Sequence, residues 1–180
     1  MIRFTCAGSL ALALACASLP VAAQVQAQHD AVGDALQYIV PLGAAGMTWY
    51  HHDLEGTKQL GVSFLVAQGT TEVLKHAIAQ PRPDGTGYGM PSGHTSAVFS
   101  AAAFVHRRYG LGEAWPFYIL ATVTGYERVH TNHHTTEQVI GGAAVGIASS
   151  FIFTHPLPDG GQVGVQMRGS APWVSYARAW

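Results

Sequence analysis

Charged side chains are scarce: Lys, Arg, Asp and Glu make up 11% of the 180 residues and sum to a formal net charge of -1. That balance excludes a strongly basic chain, and no basic stripe interleaved with aromatics occurs, so nucleic acid is not an expected partner. Cysteine is nearly missing. Cys6 and Cys16 both fall within the first 23 residues, which leaves the remainder with neither a disulfide framework nor a thiol nucleophile. Uninterrupted apolar runs are short as well. None reaches 20 residues without a polar break, so hydropathy alone leaves a soluble bundle open.

The first 23 residues have the pattern of a secretory signal. Arg3 supplies the charged start, Leu10 to Leu19 an apolar stretch, and Val21-Ala22-Ala23 a small-residue cleavage site before Gln24. An uncleaved anchor is the alternative. Residues 24–157 then form one domain, large enough for a single core, and residues 158–180 an irregular C-terminal tail without a clean period.

Five apolar stretches follow: Ala31 to Tyr50, Leu60 to Ala79, Thr95 to Tyr109, Trp115 to Tyr126 and Val139 to Thr154. Segments rich in Gly, Pro or polar residues separate them, as connections between helices do. This predicts an all-α bundle of about five to six helices. The 21 glycines suit helices packed closely through small residues, as in membrane bundles. Lys58, Arg107 and Arg108 fall at one level of such a bundle, and Lys75, Arg82 and Arg128 at the other. A positive-inside arrangement would put the first group in the cytoplasm and the second group outside.

The chemistry-bearing residues stand in three clusters at that second level: Lys75 to Pro83, Pro91-Ser92-Gly93-His94, and Arg128 to His134. A phosphoryl group in transfer carries negative charge on its equatorial oxygens and needs fixed cations and N–H donors around it. Lys75, Arg82 and Arg128 supply the cations. Ser92 is a good N-cap, and Gly93 lets the backbone of a helix start approach an anion. His94 and His134 remain for proton transfer and attack.

The three clusters together resemble the type 2 phosphatidic acid phosphatase family. Its signature is met by Lys75-x6-Arg82-Pro83, by Pro91 to His94, and in part by Arg128-x5-His134. The resemblance implies that His134 attacks phosphorus to form a phosphohistidine and that His94 protonates the leaving oxygen. Lys75, Arg82, Ser92, Gly93 and Arg128 would hold the phosphate, and no metal or other cofactor would be required. It further implies a helical bundle with the site at one end of its central helices. Together with the signal and the charge pattern this predicts a periplasm-facing site in a bacterial inner membrane, and together with the apolar helices a lipid phosphate monoester or polyprenyl pyrophosphate as substrate.

Two positions depart from the family pattern. Glu127 stands where serine is usual, and Gln138 replaces the aspartate that orients the nucleophilic imidazole. If a helix has begun by His134, both Glu137 and Gln138 reach its face. The family's spacing points to Gln138 and the chemistry to Glu137, which is expected to take over at least part of the role because a carboxylate stabilises the charge that develops on attack.

Three alternatives stay open. A soluble periplasmic acid phosphatase of broad specificity satisfies the same motifs. The Gln138 replacement admits a catalytically silent phosphate- or lipid-binding relative. A metal site needs His130, His134 and Glu137 on one helical face, with His51, His52 and Asp53 as further ligands. The sequence carries no signal for oligomeric state.

Overall fold

A computed structural model describes residues 21–157, 162–168 and 171–177, with side chains for residues 31–157 and Trp173. The expected signal therefore lies outside the described residues, apart from its last three.

Helices form where the apolar stretches are, and the breakers become their caps. Helix α1 spans Val21–Tyr50 and carries Pro41 in its interior. Asp53 caps α2, Leu54–Ile78, by accepting the Gly56 amide, and the helix closes on Ala79 in the left-handed region. Helix α3, Gly93–Tyr109, starts on Ser92, whose hydroxyl accepts the Thr95 amide. Gly110 alone, at φ 97°, separates α3 from α4, Leu111–His130, so the expected connection through Glu113 is shorter than its composition suggests. Helix α5, Thr136–Phe153, begins in a reciprocal capping box between Thr135 and Gln138.

Helix α3 is the axis of the bundle and packs against the other four helices among the described residues. Val98, Ala101, Ala102, Ala103, Phe104 and Val105 on it have no exposed surface. Its seam with α5 is made by small residues. A methyl group at Gly142 would strike the Ser92 carbonyl, and one at Gly146 would lie 2.7 Å from the Ser100 amide nitrogen. The backbones therefore approach as they do in membrane bundles. Ser150 Oγ closes the seam by donating to the Ser100 carbonyl at 2.7 Å.

The two ends of the bundle differ. At one, Arg108 Nε and Nη2 each donate to Asp53 at 2.6 Å, and Tyr109 Oη donates to the same carboxylate at 2.9 Å. Arg108 Nη1 also holds the His155 carbonyl at 2.9 Å. Residues 155–157 are thus pinned to the end of α3, where the Leu157 amide bonds the Arg108 carbonyl. The other end carries Lys75, Arg82, His94, Arg128 and His134.

Beyond the bundle the tail differs from expectation. Strands β1, Gln162–Arg168, and β2, Ala171–Ala177, pair antiparallel with Gln162 opposite Ala177. Its mixture of Val, Met, Trp and Tyr is the β-prone content of a hairpin, hidden from a search for helical period.

The α3–α5 seam can be tested by adding one methyl group. Gly146→Ala places it on unyielding backbone, and overpacking of this kind costs about 1–3 kcal/mol. The thermal unfolding midpoint of this variant should fall below that of Ala148→Ser, a substitution on the same helix at an exposed position.

Candidate active site

The first cluster is delivered by the end of α2 and the loop after it. Lys75 sits in the last turn of α2, bonded to Glu72 at 3.4 Å, with its Nζ 3.4 Å from where a Cβ on Gly93 would be. The loop of residues 79–92 folds back on itself. The Arg82 amide bonds the Gly87 carbonyl, the Gly89 amide bonds the Gln80 carbonyl, and Pro81 and Tyr88 form a bridge. Asp84 then fastens the loop to the third cluster by accepting from His133 Nδ1 at 2.8 Å.

Gly93 and His94 begin α3, beside Lys75. Ser92 is fully buried and its oxygen accepts from Thr95 Oγ1 at 3.0 Å. Its side chain thus takes the helix-cap role that the sequence offers it.

The third cluster needs a sharp reversal after α4. Asn132 supplies it at φ 62°, a conformation asparagine tolerates better than most residues. The amides of His133 and His134 both return to the Arg128 carbonyl, at 3.1 and 2.9 Å, so His134 is folded back toward Arg128. This turn also separates His130 from His134. His130 ends α4 and stacks on Tyr126, so the two histidines share no helical face. No group of three or more His, Cys, Asp or Glu able to hold a metal gathers among the described residues.

His134 is buried, and its Nδ1–H donates to Gln138 Oε1 at 2.9 Å. The orientation of the Gln138 amide is fixed from its other end. Nε2 lies 3.0 Å from the Pro81 carbonyl, which can only accept, so Oε1 must face the imidazole. This assigns His134 the tautomer with its lone pair on Nε2. Burial holds the imidazole well below its ordinary range, to about 4, with the charges of Arg82, His94 and Arg128 adding to the effect and the Gln138 bond opposing it. The ring is therefore uncharged at neutral pH.

Glu137, the expected partner, is exposed, and this expectation is corrected. Its premise was a helix already under way at His134. The helix instead starts after the cap Thr135, so Glu137 falls in the first turn facing outward, while Gln138 is the capping-box residue that reaches back past Thr135 to His134.

Two acidic residues at the site are not part of the family signature. Glu127 is buried and accepts from Arg128 Nε at 2.8 Å and Nη2 at 3.2 Å. Asp34 comes from α1, sixty residues before His94, and its Oδ1 accepts from His94 Nε2 at 2.9 Å and Arg128 Nη1 at 3.3 Å. Helix α1 can come this close because residue 33 is glycine. Any side chain there would strike the Glu127 carboxylate.

The PAP2 superfamily pattern matches residues 56–159. The chain belongs to the PAP2 superfamily. It is 34% identical over 137 residues to a lipid A 4'-phosphatase of Helicobacter pylori, covering 69% of each chain. It is 31% identical over 81 residues to an undecaprenyl-diphosphatase of Bacillus subtilis, covering 43% of this chain and 40% of that one. Among solved structures, Aquifex aeolicus LpxE shares the fold with a TM-score of 0.61 at 20% identity, over 77% of this chain and 89% of that one. All three clusters of this PAP2 protein fall inside the family region, while Asp34 lies outside it.

The tautomer and charge of His134 can be read directly. A 15N-labelled sample should show an imidazole that is neutral at pH 7 and takes up its proton near pH 4. Gln138→Asp, which puts a carboxylate on Nδ1–H, should raise that titration, whereas Glu137→Gln should leave it in place.

Proposed function

We propose that the chain is a phosphatase that releases phosphate from a lipid through a covalent phosphohistidine. The observation that carries this reading is the buried His134 near Arg82, His94 and Arg128, whose Nδ1–H is held by Gln138 so that the lone pair is left on Nε2. Nε2 attacks phosphorus in line, and the positive charge that develops on the ring is shared with Gln138. Arg82, Arg128 and Lys75, with the amides at the start of α3, hold the equatorial oxygens. His94 gives its proton to the departing oxygen. A water that takes that place then attacks the phosphohistidine with His94 acting as base, and phosphate leaves. The relatives named above act on lipid A and on a polyprenyl diphosphate, which supports a lipid substrate here.

The surface supports placement in a membrane. Leu42, Leu65, Val73, Ile140 and Ile152 are each more than 60% exposed along the bundle, where water would disfavour so large an apolar area. Trp49, Tyr50 and Trp115 stand exposed toward one end and Tyr88 and Tyr126 toward the other, as in interfacial aromatic belts. Helix α5 is long and apolar enough to cross a bilayer, the one helix of this kind among the described residues. The end bearing Lys58 and Arg107 would face the cytoplasm, and the site the periplasm.

Purified protein in detergent should release phosphate from lipid phosphates faster than from a soluble aryl phosphate. The activity should persist in EDTA and stop with vanadate. His134→Ala should lower kcat by about a thousandfold or more, and His94→Ala by about a hundredfold or more. Full activity in His134→Ala would end the phosphohistidine reading. EDTA inactivation reversed by added Zn²⁺ would replace it with metal chemistry.

Location has its own test. The protein should stay with the membrane through carbonate extraction. A cysteine placed at Thr86, in a background lacking Cys6 and Cys16, should react with an impermeant maleimide from the periplasmic side. Recovery in the soluble periplasm would overturn membrane insertion, and labelling only after lysis would invert the orientation.

A further inference from the structure

His94 Nε2, Arg128 Nη1 and Asp34 Oδ1 form a tight triangle. The two nitrogens lie 2.9 and 3.3 Å from the carboxylate oxygen and 3.5 Å from each other. Asp34 is 58% exposed, while the arginine beneath it is almost wholly buried, so the carboxylate lies on the open side of the site. On the phosphatase reading, His94 must stand beside the leaving oxygen to protonate it. A group bonded to His94 Nε2 then shares the space into which the leaving group departs.

We propose that Asp34 is a specificity-determining residue that selects phosphate monoesters, whose leaving group is a neutral alcohol, over diphosphates, whose leaving group is itself a charged phosphate. An alcohol leaves with the His94 proton and without net charge, and its hydroxyl can donate to Asp34. A departing phosphate brings negative charge within a few ångströms of a fixed carboxylate. Like charges at that separation repel measurably even in a partly hydrated site.

A second observation points the same way. Arg128 turns Nε and Nη2 onto Glu127 and Nη1 toward Asp34. Two carboxylates therefore offset the most buried cation of the site, and Lys75 is itself paired with Glu72. The positive charge that remains suits one phosphoryl group better than two. The proposal rests on the phosphatase reading and refines it, choosing between the two headgroup classes that the motifs leave open.

The test is a matched pair of substrates, farnesyl phosphate and farnesyl diphosphate, in the same detergent, so that the tail is constant. Parent protein should show the higher kcat/KM on the monophosphate. Asp34→Asn, which keeps the shape and removes the charge at an exposed position, should shift the ratio toward the diphosphate by about tenfold or more. Inhibition by pyrophosphate relative to inorganic phosphate should tighten in the same variant. Asp34→Glu should restore the parent preference.

An unchanged ratio in Asp34→Asn overturns the proposal, as does an equal fall of kcat on both substrates, which would make Asp34 only a positioning residue for His94. A parent that already prefers the diphosphate overturns it as well. A parent that hydrolyses neither substrate, nor any other lipid phosphate, overturns the phosphatase reading itself and this proposal with it.

Discussion

The close approach of α3 and α5 is the constraint on which the site depends. Ser92 and Ser96 on one side and Gly142 and Gly146 on the other let two backbones meet without intervening side chains. The first residues of these helices carry His94 and Gln138, so the width of the seam sets the spacing between the two histidines. The Ser92 amide bonds the Gln138 carbonyl at 2.9 Å, extending the seam to the edge of the site. A bulkier contact would separate acid from nucleophile without touching either, and a displacement of even about 1 Å is costly in catalysis.

Gln138 shows how one side chain can serve fold and chemistry together. Its amide oxygen accepts from His134 and from the Thr135 amide, at 2.9 and 3.3 Å, while its nitrogen holds the Pro81 carbonyl next to Arg82. An aspartate could make the first kind of bond but has no proton to give Pro81. The substitution therefore exchanges charge stabilisation of the imidazole for a link between the nucleophile and the phosphate-binding loop. It also helps explain why burial dominates the His134 titration: its hydrogen-bonded partner is neutral, and the neighbouring charges acting on it are cationic.

Much of this was legible in the sequence. The five apolar stretches became the five helices, because caps and breakers act locally and Asp53, Ser92, Gly110 and Thr135 do so at the positions where the pattern changes. The three clusters were readable as one site because their residue types fit a single chemistry. Glu137 was misjudged for want of one fact, the helix start at Thr136. That start depends on a Thr135 cap whose competition with a longer helix is decided by tertiary contacts. Asp34 was not legible at all. A lone aspartate within an apolar helix has no spacing partner, and only the packing of Gly33 against Glu127 brings it to His94.

The opposite end of the bundle has a mechanical consequence. The Arg108–Asp53 pair is 5% exposed on both sides, and removing one partner from such a pair costs about 3–5 kcal/mol. His51 stacks on Tyr109 with centroids 4.4 Å apart and reaches Glu113 at 2.9 Å, so the junctions α1–α2 and α3–α4 are riveted together there. The site end combines buried bonds, Arg128 to Glu127 and His134 to Gln138, with more exposed ones, Asp84 to His133 and Asp34 to His94. At the opposite end four helix ends meet around one buried carboxylate, so a single change at Asp53 would loosen both helix junctions together.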